Sequence, residues 1–149
     1  IKLKIPAGIE DGSRLRSVRN GEAGLRGGPP GDLYVVIHIK EHEVFEREES
    51  NLFCEVPVAF SVATLGGELN VPTLEGQAQL KVPAGTRAGQ HLRLSGRGMT
   101  RGGGSGNLFA TVRIEVPTVV DDRQRALFEE LATLSNFNPR AQLDQEAAR

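Results

Sequence analysis

An internal repeat constrains this chain more than any other feature. Ile5-Pro6-Ala7-Gly8 returns as Val82-Pro83-Ala84-Gly85, and Gly12-x-x-Leu15-Arg16 returns as Gly89-x-x-Leu92-Arg93, both 77 positions later. Asn20-Gly21 matches Arg97-Gly98 at the same offset, and Gly31-Asp32-Leu33-Tyr34 matches Gly106-Asn107-Leu108-Phe109 at an offset of 75. The change of offset places a two-residue difference in one Gly-rich loop, where length costs little. Apolar positions and turn glycines kept in register mean two copies of one supersecondary unit, and so two similar β-rich lobes. The first copy has only residues 1–4 ahead of its Ile-Pro-Ala-Gly, so the first lobe is expected to be incomplete, without its opening strands.

Composition agrees with an all-β chain of many tight turns: 18 glycines, 8 prolines and no tryptophan in 149 residues. A net charge of -1 argues against a general polyanion binder. The single cysteine can form no intrachain disulfide and no zinc site alone, so a reducing, cytoplasmic setting is expected. No apolar run approaches the roughly 20 residues of a membrane span, and no signal peptide opens the sequence.

Ile1, Leu3 and Ile5 alternate with lysines at the period of a half-buried strand, which Pro6-Ala7-Gly8 stops. Arg14 to Arg19 alternates again after an Asp11-Gly12 turn, and Gly24 to Gly31 reads as a loop. In Asp32 to Lys40, the run Leu33-Tyr34-Val35-Val36-Ile37 predicts a strand buried on both faces. Glu41, Glu43, Glu46, Glu48 and Glu49 crowd around His42 and Phe45, an acidic connector between lobes. Beyond it, residues 51–60 form a β run in which Pro57 marks an edge or a bulge, and Ala59 to Leu65 can make a short helical turn ended by Gly66-Gly67. Residues 69–73 and 77–82 read as a hairpin, and the second copy supplies strands at 91–94 and 107–116. The last element is a helix of about four turns: Asp121 and Gln124 make a capping box, and Leu127, Leu131 and Leu134 fall on one stripe beside Phe128. A polar, frayed tail is expected over residues 136–149.

Taken together these residues resemble the C-terminal client-binding region of DnaJ-type co-chaperones. The first lobe carries the resemblance at Leu3-Lys4-Ile5-Pro6-Ala7-Gly8, Gly12, Leu15-Arg16 and Gly27-Gly28-Pro29-Pro30-Gly31-Asp32-Leu33. The second carries it at Leu65-Gly66-Gly67-Glu68, Val71-Pro72-Thr73-Leu74-Glu75-Gly76 and Lys81-Val82-Pro83-Ala84-Gly85-Thr86. The resemblance implies two similar β-sandwich lobes, the first incomplete over 1–40 and the second over 41–120, then a dimerisation helix over 121–135. There are departures. His38, His42 and His91 are not followed by Pro-Asp, the family's ATPase-triggering tripeptide, and Cys54 has no Cys-x-x-Cys partner for a zinc module. Asn107 stands where the family carries aspartate, a loss of one cap or turn contact at most.

No catalytic constellation emerges. Ser61 and Ser95 lack nucleophile-elbow glycines, the histidines have no carboxylate at a diagnostic spacing, and the glutamates of 46–49 read as a solvated loop. The Gly-rich segments lack Gly-Lys-Ser/Thr, so a phosphate loop is not supported, and they lack interleaved aromatics, so a flexible β–β connection is the better reading than a nucleic-acid contact. No metal or cofactor is expected; Cys54 should pack as a small apolar residue. Phe45 has two open readings: the rim of a client groove, which the resemblance implies, or a plug between lobes. Ile37 and Ile39 are further client-binding candidates, with core packing as the alternative. For Leu127, Phe128, Leu131 and Leu134 the resemblance implies pairing of two subunits; docking on their own sheet is the alternative. Lys2, Lys4, Arg14 and Arg16 could meet an acidic tail of a partner chaperone, although solvated strand cations explain them too. The expected function is to bind unfolded client proteins, without covalent chemistry, and to deliver them to a DnaK-type chaperone as a homodimer. The rival readings are a pure assembly module and a curved-DNA-binding relative, the latter opposed by the near-neutral charge.

Overall fold

The structure, a computed structural model, describes residues 2–134 and 137–147. Ile1 of the predicted first strand, Ser135 at the expected helix end, and Asn136, Ala148 and Arg149 of the expected tail lie outside the described residues. Two compact units result, Ile1–Glu115 and Val116–Arg149. The first is largely β and the second helical.

Both copies of the repeat fold into the same antiparallel pair with matching backbone bonds at its turns. In the first, β1 (Arg14–Ser17) pairs antiparallel with β2 (Leu33–Val36), setting Leu15 against Val35 and Arg16 against Tyr34. In the second, β7 (His91–Leu94) pairs antiparallel with β10 (Leu108–Glu115), setting Leu92 against Ala110 and Arg93 against Phe109. The flanking bonds repeat as well: Gly12 N–H donates to Ile37 O at 2.7 Å, as Gly89 N–H does to Val112 O at 2.7 Å. Gly21 N–H donates to Gly31 O at 2.9 Å, as Gly98 N–H does to Gly106 O at 3.0 Å. Left-handed turns recur at Gly8 and Gly85 (φ 77° and 76°) and at Gly12 and Gly89 (both 81°), a conformation glycine adopts without steric cost.

The second copy is embedded in a larger sheet. β3 (Glu46–Glu48), β4 (Asn51–Ala59), β10 and β7 lie in that order, with β4 and β10 parallel and Leu52 opposite Leu108. The segment α1 (Phe60–Leu65) follows β4 and stops at Gly66 (φ 85°), whose N–H closes on Val62 O, as the sequence predicted. A hairpin of β5 (Gly67–Thr73) and β6 (Gly76–Val82) comes next. Its inward Val71, Leu80 and Val82 join Leu52, Val58 and Leu108 of the sheet in one buried cluster. Cys54 lies in the same cluster, and burial raises its thiol pKa. The short strands β8 (Thr100–Arg101) and β9 (Gly104–Ser105) make the Gly-rich loop between β7 and β10 a small hairpin.

Several expectations need correction. Lys2–Ile5 joins no sheet among the described residues. Its repeat equivalent, Gln79–Val82, is held by β5, and nothing in the described chain takes the place of β5 for the first copy. The run Leu33–Ile37 is not buried on both faces: Tyr34 and Val36, which share one face of the two-stranded β1–β2 sheet, remain 58% and 45% exposed. The acidic connector is part strand, since Glu46–Glu48 pairs with Asn51–Phe53.

In the second unit, α2 (Asp122–Leu134) begins with the predicted capping box. Gln124 N–H donates to Asp121 Oδ1 at 2.7 Å, and Asp121 N–H donates to Gln124 Oε1 at 2.9 Å. The tail is not wholly frayed. It contains α3 (Ala141–Ala147), entered where Asn138 Oδ1 accepts from Arg140 N–H and carrying an Arg140–Asp144 pair.

Candidate functional site

Within the first unit, the end of the first copy and the start of the second enclose a cleft of about 950 Å³. Buried Phe45 and Leu52 and half-buried Met99 line it, with the more exposed Ile39 and Leu74. The cleft is held open by a few specific bonds. Arg47 spends its guanidinium on three carbonyls: Nη1 to Ile9 O at 2.6 Å, Nη2 to Gly8 O at 2.7 Å and Nε to Glu49 O at 2.7 Å. It thereby ties the Pro-Ala-Gly turn of the first copy to β3. Asp11 Oδ1 accepts from Ile39 N–H at 2.7 Å, fixing that strand end beside the same turn.

Of the predicted contact residues, Ile39 and Phe45 come together here and Ile37 does not. Ile37 is half-buried, and its backbone is engaged with Gly12 and Ser13. Phe45, for which the sequence left a groove rim and a plug both open, is 7% exposed and part of the core cluster. His42 Nδ1 accepts from the N–H groups of Val44 and Phe45, at 3.0 and 3.3 Å, and its ring lies 5.0 Å from that of Phe45. This local turn drives the aromatic ring inward beside Leu52. Sequence reasoning missed Arg47, Leu52, Leu74 and Met99; the one available signal was a lone arginine within the glutamate run.

The cleft is unevenly charged. Glu10, Asp11, Glu41, Glu46 and Glu49 line it against Lys40 and the already engaged Arg47. A second cavity of about 570 Å³ shares Glu10 and Glu49 and continues to Ser50 and Gly104–Gly106. Elsewhere on the unit, Asp32 is held ionised below the ordinary carboxylate range by the Arg19 N–H and then by Arg16. Arg113 is raised by Glu115 and Glu55. On the face of the sheet opposite the core, Phe53 and Phe109 stack at 5.2 Å, another contact that the sequence did not announce. Among the described residues no group of His, Cys, Asp and Glu is gathered as a metal site.

The family model of the DnaJ C terminal domain matches residues 1–117. The chain belongs to this family. It is a C-terminal region of a DnaJ-type co-chaperone. The matched span takes in both copies of the repeat and every cleft residue named above. It stops before α2, on which Leu127, Phe128, Leu131 and Leu134 are 48%, 36%, 56% and 73% exposed. Among the described residues, no helix of this DnaJ C-terminal region is long and apolar enough to cross a membrane.

Proposed function

We propose that this DnaJ C-terminal region binds exposed apolar segments of non-native proteins, keeps them from aggregating and passes them to a DnaK-type ATP-driven chaperone. The observation that carries the reading is the open, apolar-lined cleft at the junction of the two copies, in a chain of this family. An extended client would place large side chains against Phe45, Leu52 and Met99. Its backbone could run beside β3, an edge strand whose outer side has no strand neighbour among the described residues. Contacts of this kind are reversible and need neither a cofactor nor covalent chemistry, as suits a factor acting in the cytoplasm that must let go. Pairing of two chains through Leu127, Phe128, Leu131 and Leu134 would put two weak clefts on one body and raise the local concentration of client.

The exposed stripe on α2 also favours a second reading, an assembly module that dimerises without holding clients. An NMR titration of the chain with an unfolded, apolar-rich peptide separates the two. Shift changes centred on Ile39, Phe45, Leu52 and Met99 are expected for client binding. A silent spectrum at millimolar peptide, with dimers still present by ultracentrifugation, would leave the assembly reading.

A further inference from the structure

The one methionine of the chain stands in the wall of the cleft. We propose that Met99 is an oxidation site, at which hydrogen peroxide or a related hydroperoxide turns the cleft wall from apolar to polar and so releases clients. This rests on the client-binding reading and adds a redox control to it.

Three observations carry the inference. First, the chain has two sulfurs, and they are placed oppositely. Cys54 is buried in the core cluster, where burial raises its thiol pKa and withholds the reactive thiolate. Met99 is half-buried and lines the open cleft beside Phe45 and Leu52, so a small oxidant reaches its sulfur first. Second, Met99 is tied in place. Its N–H donates to Ser50 O at 2.8 Å, and its carbonyl accepts from Gly106 N–H at 3.0 Å. Third, the surroundings suit a thioether better than a sulfoxide. The side chain packs against the core cluster, as a polarisable apolar group does well. A sulfoxide oxygen is an acceptor, whereas Glu10, Asp11, Glu41, Glu46 and Glu49 line the same cleft and donate no hydrogen bond when ionised. Arg47 has already given its guanidinium to the carbonyls of Gly8, Ile9 and Glu49. The new oxygen therefore takes its bonds largely from water, which an apolar side chain must displace in order to dock. In the step itself the sulfur lone pair attacks one peroxide oxygen, and the S–O bond forms as the O–O bond breaks. The departing hydroxide takes the proton of the transferred oxygen and leaves as water. Sulfur gives up an electron pair and the peroxide is reduced. Sulfoxide reductases reverse the change with a dithiol, so the control is reversible.

The test treats the full chain with hydrogen peroxide, maps the added oxygen by mass spectrometry and titrates a fluorescent, uncharged, apolar peptide. Met99 should gain one oxygen before Cys54 is modified, and affinity for the peptide should fall about fivefold or more. Methionine sulfoxide reductases of both epimer specificities, with dithiothreitol, should restore it. Met99→Leu, close in volume, should bind as the parent does and ignore peroxide. Met99→Gln should bind weakly without any oxidant. Melting curves on the same samples should show that the oxidised chain and both variants stay folded at the temperature of the titration. A Met99 sulfur left intact by peroxide that converts free methionine would overturn the control. So would an oxidised chain that binds as tightly as the reduced one, a Met99→Leu chain that loses binding to peroxide as the parent does, or a loss explained by unfolding alone. Each of these leaves client binding standing. Failure of the untreated chain to bind the peptide would overturn client binding itself, and the redox control with it.

Discussion

Asp32 and Asn107 occupy the same post in the two copies of the repeat and make the same bond with different chemistry. Asp32 Oδ1 accepts the Arg19 N–H at 3.0 Å, and Asn107 Oδ1 accepts the Gly96 N–H at 3.1 Å. The backbone contact therefore survives the change from carboxylate to amide. What the second copy lacks is the ion pair, which in the first joins Asp32 Oδ2 to Arg16.

The difference makes the first copy the acid-sensitive one. Asp32 has its pKa lowered in the fold, so its contribution is present above the unfolded-state value and is lost as pH falls through the folded one. Below about pH 4, β1 and β2 should loosen before β7 and β10 do. Asp32→Asn should keep the hairpin but abolish that acid step, and Asp32→Ala should weaken the hairpin at every pH. Amide exchange of Leu15 and Arg19, followed from pH 7 to acid, is the measurement.

Gly31 and Gly106 are also repeat equivalents, yet they should respond very differently to alanine. A Cβ on Gly106 would overlap the Ser50 carbonyl at the start of β4, whereas one on Gly31 comes no nearer than 4.0 Å to Glu22 O. Gly106→Ala should cost about 3 kcal/mol or more, as forced overlap with backbone does, and Gly31→Ala about 1 kcal/mol or less. Urea unfolding of the two variants tests this. Matching losses would mean that β4 does not press on the second loop as described.

These contrasts show which parts of the fold could be read from the chain. The turn at Gly66, the Leu74-Glu75 hairpin and the Asp121–Gln124 box were legible because each is closed by residues a few positions apart. Residues 2–5 misled because a strand is defined by its neighbour, which alternation cannot reveal. Tyr34 and Val36 misled for the same reason, since their β-branched and aromatic character fits a strand whether or not both faces are covered. The cleft was half legible. Ile39 and Phe45 came from the resemblance, but Arg47 reaches carbonyls 38 and 39 positions away, and no local pattern encodes that tie.

Arg47 should accordingly matter beyond its charge. Arg47→Met keeps the aliphatic stem but leaves the Gly8 and Ile9 carbonyls without their donor, a loss of about 2 kcal/mol for charge-assisted bonds. Arg47→Lys cannot span three carbonyls with one ammonium and should recover less than half. Amide exchange at residues 8–12 should rise in both variants, and peptide binding should fall along with the order of the cleft wall. Unchanged protection there would show that the turn is held by something else.

Phe45 and Ile39 line the same cleft from opposite extremes of exposure, 7% and 46%. Emptying the Phe45 site removes a ring from the core cluster, so Phe45→Ala should destabilise the first unit by about 3–5 kcal/mol. Any loss of binding would then be inseparable from unfolding, and Phe45→Leu is the more informative change: it keeps most of the volume, and the unit should stay folded. Ile39→Ser removes an exposed apolar side chain whose backbone stays tied to Asp11, so stability should move by less than about 1 kcal/mol while affinity for an apolar peptide drops. Calorimetric melting and peptide titration on the same samples separate these effects. If Ile39→Ser binds as the parent does while Phe45→Leu, still folded, does not, the client contact lies at the buried ring alone, and the exposed wall of the cleft is not where apolar segments dock.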